Sequence, residues 1–225
     1  MKRKDTAIVL ASGGLDSCVT VAIANEEYEL ALLHINYGQR TESRELLAFH
    51  EIAAYYNIPG ERILIANIDY FRKIGGSSLT DLKIPVQDAE TDSKGVPTTY
   101  VPFRNTLFLS VAVSWAEVIG AGKVFIGAVA QDSPGYPDCK PLYYEVFNKL
   151  IVAGTKPETR VVVETPLIFK TKAEIVTLGF SLKAPLHLSW SCYKNTEKAC
   201  GVCNSCYLRL KAFKDSGHKD PVKYE

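Results

Sequence analysis

Ser12, Asp16 and Ser17 fall in one short run, Ser12-Gly13-Gly14-Leu15-Asp16-Ser17, which offers two hydroxyls, a carboxylate and free backbone N–H groups. The run follows the apolar stretch from Ala7 to Ala11, which suits a buried parallel strand. After it, Cys18, Val19, Val21, Ala22 and Ile23 carry a spacing that predicts a helix. A strand, a Gly-rich turn and a helix N-terminus together aim N–H donors and positive potential at one point, and glycine lets an anion approach with no Cβ in the way. Phosphate or pyrophosphate is the ligand such a turn suits. The Lys of a Walker A loop and the GxGxxG of a dinucleotide fingerprint are both missing. A Gly-Gly turn can be a mere connection, but two serines and an aspartate around it favour the ligand.

The second constellation is Cys192, Cys200, Cys203 and Cys206, spaced C-x7-C-x2-C-x2-C. Thiolates two residues apart can converge on one tetrahedral ion about 2.3 Å from each sulfur, with Gly201 and Asn204 relieving the backbone as turn positions. Zinc is the first choice, and the two CxxC steps sharing Cys203 also suit an iron–sulfur cluster. With four protein thiolates no coordination position is left for water, so a zinc here is structural. It would tie a helix over Tyr207 to Phe213 back onto the loop from Leu188, making 188–215 a metal-binding segment. Cys18 reads as a small core residue. Cys139 sits in a loop placed beside the phosphate turn.

These groups must be held by a frame. In 225 residues, 47% hydrophobic and 23% charged, with a net charge of +1, there is enough chain for a substantial core and no charge excess that marks a nucleic-acid or membrane surface. No secretory or membrane-spanning pattern is present, so a cytoplasmic protein of one domain is expected. Strand-like runs at Leu30 to Asn36, Arg62 to Asn67, Lys123 to Gly127 and Arg160 to Glu164 alternate with helical spacing over Thr41 to Tyr56, Asn105 to Ile119, Leu142 to Val152 and Lys172 to Leu178. This alternation predicts an α/β fold, a three-layer parallel sheet with helices on both faces, whose ligands sit beyond the carboxyl ends of the strands. Ser12 to Ser17, Tyr37 to Arg40, and Asp69 are then the residues to watch. Ile74 to Tyr100, rich in Gly, Ser and Pro, reads as a lid or substrate loop. The apolar helix after Arg104 implies burial against the sheet or a second subunit.

Ser12 to Ser17 resembles the pyrophosphate loop of the N-type ATP pyrophosphatases. Together with YGQR at Tyr37, VPFRN at Val101, GYPDC at Gly135, TPLIFKTKAE at Thr165 and the SWSCY and CGVCNSC runs from Ser189, nearly the whole chain resembles the 7-cyano-7-deazaguanine synthase family. GYPDC combined with the terminal cysteines is the specific part. Three departures stand out: Phe103 where the family usually has Gly, Gln131 to Pro134 before GYPDC, and Thr41 where a His is common.

The resemblance implies an adenine nucleotide alpha hydrolase-like fold and a ligase that makes a nitrile from 7-carboxy-7-deazaguanine and ammonia. Two adenylations, of the acid and then of the amide, each release AMP and pyrophosphate. It implies ATP bound by Leu10, Ala11, Ser12, Gly13, Gly14, Leu15, Asp16, Ser17 and Arg40. Asp16 would orient the loop or help hold Mg²⁺, and Arg104 and Lys172 would offset charge on the transferred phosphate. Phe103, Asn105, Tyr136 and Asp138 would hold the purine-like base, although Asn105 could instead cap the helix that follows. His34 and His187 read as packing residues. A homodimer that binds no nucleic acid is expected. Two rivals remain: a tRNA-modifying thiolase of the same superfamily, and a zinc-ribbon binding module.

Overall fold

Five strands form one sheet in the order β3-β2-β1-β4-β5, every neighbouring pair parallel. The computed structural model describes residues 5–89, 95–130 and 136–225. The strands are β1 (Thr6–Leu10), β2 (Glu29–Asn36), β3 (Ile63–Asn67), β4 (Lys123–Ile126) and β5 (Val162–Glu164). The helices are α1 (Leu15–Glu27), α2 (Glu42–Tyr55), α3 (Tyr70–Ile74), α4 (Arg104–Ile119), α5 (Pro141–Gly154), α6 (Lys172–Ser181) and α7 (Asn204–Asp215). Each predicted strand and helix is present within a few residues of its expected bounds, and α3 is an addition.

The strands alternate their side chains between two cores, as a sheet covered on both faces must. Ile8 and Leu10 of β1 join Phe71 of α3, Leu109 of α4 and Phe147 of α5 on one face. Ala7 and Val9 join Val19 of α1, Phe49 of α2, Val176 of α6 and Phe213 of α7 on the other. A third, smaller cluster gathers Val86, Trp190, Ala199 and three of the four terminal cysteines around Ala48. Helix α7 begins at Asn204, with Cys203 as its N-cap, so Asn204 is the first helical residue and not part of a turn. Gly201, at φ +72°, supplies the left-handed turn between the cysteines.

Strand order places the site. The chain builds β1, β2 and β3 outward in one direction, then returns to lay β4 on the other side of β1. The topological switch therefore lies between β1 and β4, where a crevice opens beyond the strand ends. Gly127, directly after β4, fits only as glycine, because a Cβ there would stand 2.9 Å from Thr20 Oγ1 and 3.0 Å from the Asp16 carbonyl carbon. The missing side chain lets the first turn of α1 close onto β4. No helix among the described residues is long and apolar enough to cross a membrane.

Candidate functional site

A cavity of about 310 Å³ opens at the switch point, with the Ser12–Ser17 turn, the ends of β2 and β4, and side chains from α2, α4, α6 and the 190–209 region in its wall. The turn is held in a wound form by its own groups. Ser12 Oγ accepts from the Gly14 N–H at 3.2 Å and meets Ser17 Oγ at 3.1 Å, and Ser17 Oγ donates to the Gly14 carbonyl at 3.0 Å. Gly13 sits at φ +83°, and a Cβ on it would lie 2.5 Å from the Glu45 carbonyl oxygen. Both a left-handed backbone and lack of room therefore require glycine there. The Gly13 carbonyl in turn accepts the Trp190 N–H at 2.8 Å.

The charged groups converge on this turn from distant parts of the chain. Asp16 Oδ2 is paired with Lys172 Nζ. Lys172 is aimed by a capping box at the start of α6, in which the Thr171 hydroxyl and Glu174 carboxylate each accept the other residue's backbone N–H. Asp16 Oδ1 is buried and has no hydrogen-bond partner among the described residues; the same is true of Arg104 Nε and Trp190 Nε1. Buried polar atoms of a native protein are almost always satisfied, and these three belong to residues that line the cavity, which makes them candidates for a partner supplied by a ligand.

Arg104, the first residue of α4, donates from Nη1 to Tyr37 Oη at 3.2 Å and lies over the Tyr37 and Phe108 rings. Burial opposes its charge, but Tyr37, Asp138, Tyr136 and Tyr193 hold its pKa above the ordinary range. Burial pushes the Tyr37 phenol up to about 12 and the Cys139 thiol up to about 11, so both are neutral near pH 7. Tyr136 also lines the cavity, its hydroxyl 2.6 Å from Thr99 Oγ1. Asn105 lines it too and donates from Nδ2 to the Asp138 carbonyl at 3.0 Å. It does not cap α4; the Asp138 carboxylate does, accepting the Asn105 N–H at 3.2 Å.

Leu10, Ala11, Ser12, Gly14, Leu15, Asp16, Ser17, Arg104, Asn105, Tyr136 and Lys172 thus meet around one cavity, with Gly13 beneath the turn. Arg40, Phe103 and Asp138 are not in its lining. The Arg40 guanidinium is spent on three carbonyls of the following loop, those of Ser78 at 2.6 Å, Asp81 at 3.1 Å and Ile84 at 2.6 Å. It pins the described part of that loop, where Ser77, Ser78 and Leu79 are buried. Phe103 stands at φ +59°, a left-handed position, and is 62% exposed. Residues 131–135, including Gly135 of GYPDC, lie outside the described residues. His34 is buried between the Ala11 carbonyl and Asn36 Oδ1, and His187 is exposed; both sit apart from the cavity.

Sequence reasoning passed over Glu45, Gly127, Trp190 and Arg209. Gly127 carried a signal, being a glycine at the end of a parallel strand. The other three are recognisable only once distant segments are in contact.

The sulfurs of Cys192, Cys200, Cys203 and Cys206 lie within 4.8 Å of one another, with Cys200 and Cys206 at 4.0 Å. A tetrahedral ion about 2.3 Å from each thiolate requires roughly 3.8 Å between sulfurs, so the set fits one zinc. A cubane cluster would hold its thiolates farther apart. Backbone N–H groups of Lys194, Asn195 and Cys200 point at Cys192 Sγ at 3.3 to 3.4 Å, as the outer shell of a thiolate site does.

Residues 6–217 match the family model described as "Queuosine biosynthesis protein QueC". The chain belongs to that family. It is 59% identical over 220 residues to the 7-cyano-7-deazaguanine synthase of Chlorobium phaeobacteroides, covering 97% of this chain and 96% of that one. The synthase of Chloroherpeton thalassium is 58% identical over the same coverage. Among solved structures, the U34-tRNA thiolase NcsA of Methanococcus maripaludis, described with its [4Fe-4S] cluster, superposes with a TM-score of 0.50 at 17% identity, covering 96% of this chain and 68% of that one. That likeness is one of fold.

Proposed function

We infer that this QueC-family chain is an ATP-dependent ligase that converts 7-carboxy-7-deazaguanine and ammonia to 7-cyano-7-deazaguanine in queuosine biosynthesis. One observation supports the residue assignments most: Asp16 and Arg104, each with a buried polar atom that has no partner among the described residues, line the same crevice as Ser12, Gly14, Ser17 and Lys172. ATP would supply the activation, converting the carboxylate into a mixed anhydride with AMP, from which AMP can leave. The N–H groups and hydroxyls of Ser12, Gly13, Gly14 and Ser17 receive the β and γ phosphates at the positive end of α1. Lys172 and Arg104 offset charge on the transferred phosphate, where fixed donors act without reorganising. Asp16 holds Lys172 with one oxygen, and the other, unpartnered among the described residues, would be the one to hold Mg²⁺.

The acid's base lies towards Asn105 and Tyr136, the first offering an amide and the second a ring face. Asp138 acts from behind, fixing Asn105 and the start of α4. The four cysteines hold a structural zinc. A homodimer is the proposed assembly, supported by Leu142, Val146 and Leu150, which stand four residues apart on α5 and are each more than half exposed.

Incubation with ATP, ammonium and the acid, read by mass spectrometry, tests the reading. The nitrile should form with about two AMP released per product; ATP consumption without nitrile would reject it.

A further inference from the structure

Glu45 is the one carboxylate in the cavity wall that none of these roles uses. It sits on α2, and both of its oxygens are held: Thr41 Oγ1 donates to Oε1 at 2.7 Å and Gln39 Nε2 to Oε2 at 3.2 Å. Gln39 is itself fixed by the Tyr37 N–H, which donates to its Oε1 at 2.9 Å. An exposed surface glutamate has no need of such a mount. The side chain faces the cavity shared by Arg104, Tyr37 and the Ser12–Ser17 turn, and the Glu45 backbone carbonyl packs directly against Gly13.

The reaction leaves a task unassigned. Ammonia near neutral pH is almost all ammonium, which has no lone pair, so an acceptor must remove a proton before the nitrogen can attack. We propose that Glu45 binds ammonium in the cavity and takes that proton. The N–H bond breaks towards nitrogen and its proton passes to the Glu45 carboxylate. The freed pair then forms the C–N bond at the adenylated carboxyl carbon. The C–O bond to phosphorus breaks, AMP leaves with that electron pair, and the second N–H proton goes to water. Glu45 is reset by releasing its proton to solvent.

The surroundings suit the task. Burial raises the Glu45 pKa to about 7, opposed by the Thr41 and Gln39 hydrogen bonds and the Arg104 charge and reinforced by Glu42. A base poised there is ionised often enough to accept a proton and weak enough to lose it. Thr41 adjusts that balance through its hydroxyl.

The inference rests on the ligase reading, and the test separates the two. Full-length, zinc-loaded parent and Glu45→Gln are compared in three reactions: pyrophosphate release with ATP and the acid alone, product formation with ammonium, and hydroxamate formation with hydroxylamine. Hydroxylamine is neutral near pH 7 and attacks without losing a proton first. The expected result is a fall of about a hundredfold with ammonium, its residue climbing with pH as free ammonia rises. Pyrophosphate release and hydroxamate formation should stay within about threefold of the parent. Thr41→Ala, losing the hydrogen bond that favours ionised Glu45, should shift the ammonium-dependent pH profile upward. Ammonium and hydroxylamine rates falling together, a loss of pyrophosphate release, or an unchanged ammonium rate would each overturn the role of Glu45. A parent that makes neither product from the acid would instead overturn the ligase reading itself.

Discussion

Replacing Gly13 by alanine and comparing the result with Gly14→Ala separates the shape of the pyrophosphate turn from its chemistry. At Gly13, φ is +83° and the new Cβ would lie 2.5 Å from the Glu45 carbonyl oxygen, 3.0 Å from Ala48 Cβ and 3.2 Å from the Phe49 N. The left-handed backbone costs an alanine about 1 to 2 kcal/mol, and overpacking against a backbone carbonyl that cannot swing aside costs about 1 to 3. The shift needed to relieve the clash also pulls the Gly13 carbonyl from the Trp190 N–H, worth about 1 kcal/mol more. One movement relieves both strains, so these contributions overlap, and roughly 3 kcal/mol is the expected net loss. For a chain of this size that is a melting temperature lower by about 6 to 12 °C. Gly14, by contrast, is not in the left-handed region, and its new Cβ would meet only Ser12 Oγ at 3.3 Å and the Trp190 carbonyl at 3.6 Å. Gly14→Ala should melt within about 2 °C of the parent while releasing pyrophosphate more slowly, because the methyl stands where the anion approaches. Thermal melts and pyrophosphate release on both variants provide the assay. Equal melting temperatures for the two would refute the account of why the turn needs Gly13.

Ser12→Ala, which loses a hydroxyl donor, and Asp16→Asn, which loses the charge paired with Lys172, should each lower nitrile formation by about a hundredfold while leaving the circular dichroism spectrum unchanged, since loss of one such fixed charge-stabilising group costs about 3 kcal/mol in the barrier; turnover within twofold of the parent would remove these residues from the mechanism. Cys203→Ser should lower zinc content and solubility together, and elemental analysis of the parent purified without added metal should find close to one zinc per chain; iron with sulfide and a brown absorbance would reverse the metal assignment. Glu45 binds its proton more tightly folded than its ordinary 4.5 allows, up to about 7, so the stability it contributes is complete below about pH 4.5 and is lost as pH rises through 7. Glu45→Gln should therefore gain stability on the parent between about pH 5 and pH 8, on the order of 1 to 3 kcal/mol in denaturant titrations; a constant difference across that range would show that Glu45 is not buried in the charged form.

The alternation of apolar runs and helical spacing was enough to read five parallel strands and the turn after the first, because both follow from local pattern. The four cysteines were legible for the same reason. Helix α3 was not, since its five residues are too few to show a period. Arg40 and Phe103 illustrate a different limit of local pattern. An arginine after a strand end is equally suited to phosphate and to carbonyls, and only the return of the loop through Ser78 and Ile84 decides between them. A phenylalanine before a helix suggests stacking, and the sequence does not show that it stands at a left-handed backbone position outside the cavity lining. Glu45 lies in the pattern Glu-Ser-Arg-Glu-Leu-Leu, where a glutamate reads as an exposed helix residue. What gives it chemical weight is its position against Gly13, thirty-two residues away in sequence.

The metal segment belongs to the same argument, because its position decides whether a structural ion matters to the chemistry. Two residues before Cys192, Trp190 gives its N–H to Gly13, the residue on which the pyrophosphate turn pivots. Three residues after Cys206, Arg209 lies almost wholly buried, paired through Nε and Nη2 with the two carboxylate oxygens of Asp220 at 2.8 and 3.1 Å. It also donates to Ser189 Oγ at 2.9 Å, Ser191 Oγ at 3.2 Å and the Leu186 carbonyl at 3.2 Å. The guanidinium thus gathers both sides of Trp190 and fastens them to the helix that carries Cys206 and is capped by Cys203. A buried pair of this kind contributes little net stability, because desolvation offsets its attraction, but it tolerates few alternative geometries once its donors are satisfied. Zinc joining Cys192 to Cys206 fixes one end of this brace, and Arg209 fixes the other. Between them they set the height of the Trp190 N–H, and through it the Gly13 carbonyl. An ion held by these four thiolates, with no open coordination position, would then act on the Ser12–Ser17 turn only through the Trp190 N–H that Gly13 accepts, at the scale where positioning matters.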